Sequence, residues 1–143
     1  MKSNFIARYV VDASVAVKWY SKVEEDTRKA DALLNKYIEG ECALLAPSLI
    51  CYELINALCF NPNLSEIDVI RASEEFSKLE IEFVDFANVQ SEAISLAFEK
   101  GITIYDAVYV ATSKVYSIPL ITADLKLYDK IKDLAFVTFL ANL

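Results

Sequence analysis

Short apolar runs alternate along the chain with longer segments in which apolar side chains recur every three or four residues. The short runs predict buried strands, which lie at about residues 8–12, 43–45, 81–84, 118–122 and 136–139. The longer segments have the spacing of amphipathic helices. Strands that alternate with helices predict an α/β fold, in which helices cover both faces of a parallel sheet.

Capping residues and glycines locate the ends of several predicted helices. A short helix follows residue 12, and others cover about 25–38, 48–60, 65–79, 88–99, 103–115 and 125–129. Pro47 and Ser48 are expected to open the third helix, and Ser65 with Asp68 forms a capping-box pattern. The apolar stretch 43–60 is not expected to span a membrane, because the helical part after Pro47 is only about 20 Å long and spanning takes roughly 30 Å.

Composition is consistent with one domain over residues 1–143. The hydrophobic fraction is 55%, enough for a core, and only two glycines and three prolines are present. So few glycines argue against the glycine-rich turns of Rossmann and P-loop nucleotide-binding domains. The net charge of -7 argues against a surface that coats polyanions, but it is compatible with an acidic site offset by divalent cations.

Cysteine and histidine usage limits the possible chemistry. Cys42, Cys51 and Cys59 all lie in apolar surroundings, so we expect three buried thiols without disulfides. Together with an N-terminus that lacks a signal-peptide pattern, this predicts a cytoplasmic protein. The chain contains no histidine, which excludes histidine acid–base catalysis, triads with a histidine base and most zinc sites.

Four acids stand out because apolar residues flank each of them. Asp12 and Asp124 follow two predicted strands, Asp106 lies near a helix start, and Glu53 lies within the apolar helix SLICYELINAL. Ligands of open parallel sheets bind beyond the carboxyl ends of the strands. These acids are therefore the candidate catalytic residues.

Each acid also has a purely structural interpretation. Asp12 and Asp124 are suitable helix N-caps, and Asp106 can form a capping box with Thr103. Glu53 can pair with a lysine or arginine. Capping, however, does not account for a glutamate in the middle of an apolar helix.

Clustered carboxylates repel one another unless some are protonated or a cation holds them. Oxygen ligands without histidine favour Mg²⁺ or Mn²⁺, which suits phosphodiester hydrolysis. Ser14 and Thr122 lie two residues from the acids that follow the strands, and Asn56 lies three residues after the acid in the helix. These three side chains are candidates to orient carboxylates or water, or else ordinary caps and surface polar groups.

Basic residues near the motifs are candidate phosphate contacts. They are Lys18, Lys22, Lys126, Lys130 and Lys132. Solubilising surface lysines are the alternative interpretation. Trp19 and Tyr20 are either base-stacking residues or, as we favour, core or dimer contacts.

Three stretches together resemble the PIN-domain family, in particular the VapC-type ribonuclease toxins. They are VVDASVAVKW, APSLICYELINAL and ITIYDAVYVATSKVYSIPLITADLKL, in the family's order and spacing. The resemblance implies a three-layer fold with a parallel sheet of about five strands. It also implies metal-dependent RNA hydrolysis, a homodimer and a cognate antitoxin.

The resemblance carries over to individual residues. The acidic quartet that binds Mg²⁺ or Mn²⁺ in the family is matched by Asp12, Glu53, Asp106 and Asp124. Ser14 and Thr122 match the neighbouring hydroxyls, and Asn56 matches a polar residue that follows the glutamate.

Other functions remain open at the level of the sequence. An RNA-processing nuclease outside a toxin–antitoxin system and a catalytically silent PIN-like binding module are the alternatives, and a chain of this length favours the toxin branch. Two other α/β classes are disfavoured. Response-regulator receivers need an acidic pair after the first strand, where this chain has only Asp12. Haloacid-dehalogenase phosphatases need an aspartate two residues after Asp12, where this chain has Ser14.

Overall fold

The computed structural model describes residues 6–21 and 27–143. Five strands form one parallel sheet in the order β3-β2-β1-β4-β5. The strands are β1 Ala7–Val11, β2 Cys42–Pro47, β3 Glu82–Val84, β4 Leu120–Thr122 and β5 Val137–Phe139. All five lie within two residues of the predicted positions, so the predicted parallel sheet is confirmed.

Seven α-helices in the described ranges flank the sheet and complete the predicted three-layer α/β fold. They are α1 Ala13–Tyr20, α2 Thr27–Ile38, α3 Ile50–Cys59, α4 Glu66–Lys78, α5 Gln90–Lys100, α6 Ile104–Tyr116 and α7 Leu125–Ile131. Helix α1 packs on α2 and α3, whereas α5 packs on α6, which also contacts β1 and β2. None of the helices in these ranges is both long enough and apolar enough to cross a lipid bilayer.

The central strands are apolar because side chains on both of their faces are covered. Val10, Val11, Leu120 and Ile121 have no exposed surface, and Leu44 is 1% exposed. The order of the strands matters for function. The chain runs from β1 outward through β2 to β3 and then returns to β4 on the other side of β1. The boundary between β1 and β4 is therefore the topological switch point, where α/β sheets bind ligands.

Two predictions about the third helix and the cysteines are wrong. Pro47 ends β2 instead of opening α3, because it pairs with Val84 and the next amide, at Ser48, still donates to the Val84 carbonyl at 3.4 Å. Of the thiols, only Cys42 is buried, whereas Cys51 is half-buried and Cys59 is exposed. Ile50, Leu54 and Leu58 form the buried face of α3, and Cys51 and Cys59 lie outside that face.

The predicted helix ends are largely as expected. Ser65 and Asp68 form a complete capping box at α4. Gly101 ends α5 in the left-handed conformation, with φ 63°. The predicted turn at 125–129 extends to a helix, because Leu127 and Ile131, one turn apart, are both buried in the core.

Candidate active site

Asp12 and Asp124 lie at the switch point of the sheet. Asp12 follows the last residue of β1, and Asp124 lies two residues beyond the end of β4. The two strands are direct neighbours, with Val11 opposite Ile121. The parallel register thus brings together two acids that are 112 positions apart in the numbering.

Asp12 is a buried carboxylate held by several donors. Asp12 is only 4% exposed. The Ser14 hydroxyl and the Val15 amide donate to Oδ1, the amide at 3.3 Å, and the Thr122 hydroxyl donates to Oδ2. Burial raises the pKa of Asp12 to about 6, against the opposing effect of these hydrogen bonds, and the charge of Asp124 raises it further.

The two hydroxyls also connect the strand ends to each other. The Ala123 amide donates to Ser14 Oγ at 2.9 Å, and the Asp124 amide donates to Thr122 Oγ1 at 3.1 Å. The hydroxyl oxygens of Ser14 and Thr122 lie 3.4 Å apart. The structure therefore brings both of the predicted supporting hydroxyls onto Asp12.

The capping interpretation holds for Asp12 and Asp124, whereas the capping box predicted for Asp106 with Thr103 is only half formed. Asp12 caps α1, and Asp124 caps α7 by accepting from the Leu127 amide at 3.1 Å. The Asp106 amide donates to the Thr103 hydroxyl at 3.1 Å, so Thr103 caps α6. A cap requires only one acceptor oxygen, and so it does not explain why Asp12 is buried, which is costly for a carboxylate.

Glu53 is held by a tyrosine instead of a basic residue. The Tyr109 hydroxyl donates to Glu53 Oε1 at 2.6 Å, and in the described ranges no lysine or arginine forms an ion pair with Glu53. Tyr109 is 2% exposed. The sequence analysis missed this residue. A polar-tipped side chain three residues after Asp106, on the same face of an apolar helix, was the available signal.

Mutual repulsion joins the four acids into one electrostatic group. The pKa of Asp106 is raised by burial and then by the charge of Asp124, and the charge of Lys130 opposes this shift. Burial also raises the pKa of Glu53, with a further contribution from Asp106 that the Tyr109 hydrogen bond opposes. Coupling therefore runs from Asp12 through Asp124 and Asp106 to Glu53.

This donor set fits a hard divalent cation that keeps part of its water shell. The four acids offer only carboxylate oxygens, and a cation would relieve both their repulsion and the desolvation of Asp12. Over residues 6–21 and 27–143, however, no three acidic or thiol side chains come close enough to enclose a metal ion. Water and substrate oxygens would have to complete the coordination, which is usual for Mg²⁺.

Asn56 lies near Glu53 on the outer surface of α3. Both residues line a groove of about 780 Å³ that Tyr52 and Tyr105 also border. Asn56 is exposed. It shares the groove with Glu53, as the helical spacing predicted, and it is available to solvent or a ligand.

The candidate phosphate-binding lysines occupy different environments. Lys18 is half-buried on α1, and Lys126 and Lys130 are exposed on α7. The Lys130 ammonium donates to the Gly101 carbonyl at 3.4 Å, and Lys132 forms an exposed ion pair with Asp129 at 3.5 Å. Lys22 lies outside the described residues.

The aromatic pair on α1 packs against other helices. The Trp19 indole donates to the Ala30 carbonyl at 2.9 Å. Trp19 and Tyr20 each pack on Phe76, with ring centroids 6.5 Å apart. Of the two interpretations offered for this pair, core packing is the one that these contacts support.

Comparison with known proteins identifies a family that this chain matches. The family model of the PIN domain matches residues 9–133. Ribonuclease VapC3 of Pyrobaculum aerophilum is 31% identical over 130 residues, which cover 86% of this chain and 94% of the relative.

Solved structures share the fold. The crystal structure of PAE2754 from Pyrobaculum aerophilum has a TM-score of 0.65 at 26% identity and covers 94% of this chain and 90% of its own. A toxin–antitoxin complex from Klebsiella pneumoniae has a TM-score of 0.67 at 14% identity, with coverage of 94% and 99%. At that identity, the second likeness concerns the fold alone.

Proposed function

The chain belongs to the PIN-domain family, and on this premise we propose that it is a metal-dependent endoribonuclease, the toxin of a type II toxin–antitoxin pair. The observation that carries the proposal is the buried carboxylate of Asp12 at the switch point, within a coupled group of four acids. A ribonuclease relative of nearly the same length, at 31% identity, supports RNA as the substrate.

Asp12, Glu53, Asp106 and Asp124 would hold Mg²⁺ or Mn²⁺. When bound, the cation supplies Lewis-acid activation of water and neutralises charge on the phosphodiester. The protein contributes the orientation of its carboxylates. Ser14 and Thr122 direct both oxygens of Asp12 by hydrogen bonds.

Asp124 has a different arrangement of its two oxygens. Its Oδ1 accepts from the Leu127 amide, whereas Oδ2 has no hydrogen-bond partner in the described part of the chain. This half-buried carboxylate therefore offers Oδ2 to a water molecule in the crevice. The charge of the Lys130 ammonium opposes the rise in the pKa of Asp106. The same ammonium adds positive charge where the RNA phosphate would approach.

The proposed partners follow from the same family. We propose a cognate antitoxin, a homodimer and a cytoplasmic location. The fold shared with a protein of a toxin–antitoxin complex supports the first, and the exposed Tyr52 and Tyr105 beside the groove supply apolar surface for assembly. Light scattering should give twice the 16.1 kDa of one chain, and a monomer at micromolar concentration would contradict the dimer.

Cleavage of a fluorescent single-stranded RNA tests the activity. Wild type and Asp12→Asn are compared in Mg²⁺, Mn²⁺ and EDTA, with Asp129→Asn as the matched control because Asp129 is exposed and pairs with Lys132. We expect wild type and Asp129→Asn to cleave in either metal and to stop in EDTA. Asp12→Asn should remain folded, as judged by its melting curve, and should not cleave.

Three results would change the interpretation. Full cleavage by folded Asp12→Asn would remove Asp12 from the catalytic machinery. Failure of wild type to cleave a panel of RNAs, with normal folding, would favour a PIN-like module that only binds. Cleavage without any toxicity in cells would favour an RNA-processing nuclease outside a toxin–antitoxin system.

A further inference from the structure

The hydrogen bond between Tyr109 and Glu53 is the polar contact that the proposed mechanism does not use. It joins α6 to α3 between two residues that are 56 positions apart in the sequence, with 2.6 Å between the Tyr109 hydroxyl oxygen and Glu53 Oε1. Among the described residues, the Glu53 side chain has no other hydrogen-bond or ion-pair partner. Tyr109 is therefore what orients this carboxylate.

We infer that Tyr109 is a positioning residue, whose hydroxyl holds Glu53 Oε1 and leaves Oε2 available to a divalent cation. The inference rests on the proposed metal-dependent function and adds to it a residue outside the acidic quartet. A carboxylate on a side chain with several rotatable bonds loses affinity for a cation if it must be ordered during binding. A donor on one oxygen supplies that order beforehand, as outer partners of metal ligands commonly do.

Burial makes this hydrogen bond difficult to replace. Tyr109 is 2% exposed, and its ring is part of the hydrophobic core. Its hydroxyl is held in place by the packed ring, so its direction is set by α6 and not by solvent. Removing the hydroxyl would therefore leave Glu53 Oε1 without the donor that the packed ring holds in place.

Placement on α6 links Tyr109 to a second acid. Tyr109 lies three residues after Asp106 and so projects from the same side of the helix. One helix thus carries one member of the quartet and the donor that orients another. A shift of α6 would move Asp106 and the hydrogen bond to Glu53 together.

The alternative is that the tyrosine merely satisfies its own buried hydroxyl, and Tyr109→Phe separates the two roles. The matched control is Tyr37→Phe. The Tyr37 hydroxyl also donates at 2.6 Å, to the Leu79 carbonyl, and Tyr37 borders a groove with Ala43 near the amino end of the sheet. Both variants keep the ring and lose one hydrogen bond.

Mn²⁺ affinity, measured by titration calorimetry on the full chain, is the readout. We expect the Kd of Tyr109→Phe for Mn²⁺ to rise about tenfold to a hundredfold, and that of Tyr37→Phe to stay at the wild-type value. Melting curves check that both variants are folded. Glu53→Gln should also raise the Kd, and Tyr109→Phe in that background should add no further rise, because Tyr109 acts through Glu53.

Several outcomes would overturn the inference. They are an unchanged Kd in Tyr109→Phe, the same rise in Tyr37→Phe, an undiminished further rise in the double variant, or no Mn²⁺ binding by wild type. RNA cleavage is measured separately. A wild type that binds Mn²⁺ but cleaves no RNA would contradict the ribonuclease proposal, while the comparison of affinities would still decide the role of Tyr109.

Discussion

Thr122 is one of the two hydroxyl residues that connect the ends of the acid-bearing strands at the switch point. It is fully buried, donates to Asp12 Oδ2 and accepts from the Asp124 amide at 3.1 Å. A hydroxyl can perform both tasks because it is donor and acceptor at once. Its contribution is greatest when Asp12 is ionised, since hydrogen bonds to charged groups are the stronger ones.

Replacing Thr122 with valine keeps the shape of the side chain and removes the hydroxyl. We expect the free energy of unfolding of the metal-free protein at pH 8 to fall by about 1.5–3 kcal/mol, the range for a hydrogen bond to a charged group. Urea denaturation measures this loss. Thr112→Val is the matched control, because Thr112 is also fully buried but donates to the neutral carbonyl of Val108 at 2.8 Å.

The control should lose about 1 kcal/mol or less. Equal losses in the two valine variants would show that the Thr122 hydroxyl has no special relation to the buried charge. The same pair of variants can be examined for Mn²⁺ affinity, where only Thr122→Val should weaken binding.

At the scale of elements, α5 and α6 end in the same conformation with different residues. Gly101 follows α5 with φ 63°, and Ser117 follows α6 with φ 55°. The left-handed conformation costs an L-residue roughly 1–2 kcal/mol, whereas glycine adopts it without steric penalty. Helix α6 therefore ends with a strained residue, although it carries Asp106 and Tyr109.

Exchanging the two residue types should have opposite effects. We expect Gly101→Ala to lower the free energy of unfolding by about 1 kcal/mol. Apart from Gly101 and its two chain neighbours, no atom of the described residues lies within 4 Å of a β-carbon placed at Gly101, so the loss would come from the backbone conformation alone. Ser117→Gly should raise stability by about 0.5 kcal/mol, the relief of strain being partly offset by the entropy of glycine in the unfolded chain.

Thermal or urea unfolding of both variants checks this expectation. A loss of stability in Ser117→Gly would mean that the serine side chain contributes more than its backbone strain costs. RNA cleavage should be unchanged in both variants, because neither position belongs to the acidic group.

For the whole molecule, the net charge of -7 opposes a general attraction to RNA. Attraction must then come from local positive charge near the acids. Lys126 and Lys130 are exposed on α7, the helix that Asp124 caps. Lys130 is also close enough to lower the pKa of Asp106 through its charge.

A double variant, Lys126→Ala with Lys130→Ala, should bind single-stranded RNA more weakly than the parent protein. Binding is measured in the Asp12→Asn background, which is expected to bind without cleaving, at several salt concentrations. The slope of log affinity against log salt should decrease by about 1.4, since two fewer phosphates are neutralised and each contributes about 0.7 on a single strand. Lys78→Ala is the control, because Lys78 is exposed in a groove near the amino end of the sheet.

An equal loss of affinity in Lys78→Ala would show that overall charge, and not the position of α7, determines binding. An unchanged salt slope in the double variant would remove both lysines from the RNA interface.

Most of the fold was predictable because local sequence patterns indicate strands, helices and helix ends. Apolar runs located all five strands, and cap residues such as Ser65 and Gly101 located helix ends. Errors arose where local pattern is ambiguous. Pro47 is compatible with either a strand end or a helix start, and the apolar neighbours of Cys59 do not reveal which side of α3 faces solvent.

The sequence by itself determined the element types, the four candidate acids and the placement of Asp12 and Asp124 after strands, because these depend on local periodicity and on residue chemistry. Only the tertiary structure decided which groups meet. The placement of β4 beside β1 brings Thr122 onto Asp12, and the packing of α6 near α3 brings Tyr109 onto Glu53. Such contacts join residues 110 and 56 positions apart, and they depend on strand order and helix packing, which no local pattern of apolar and polar residues encodes.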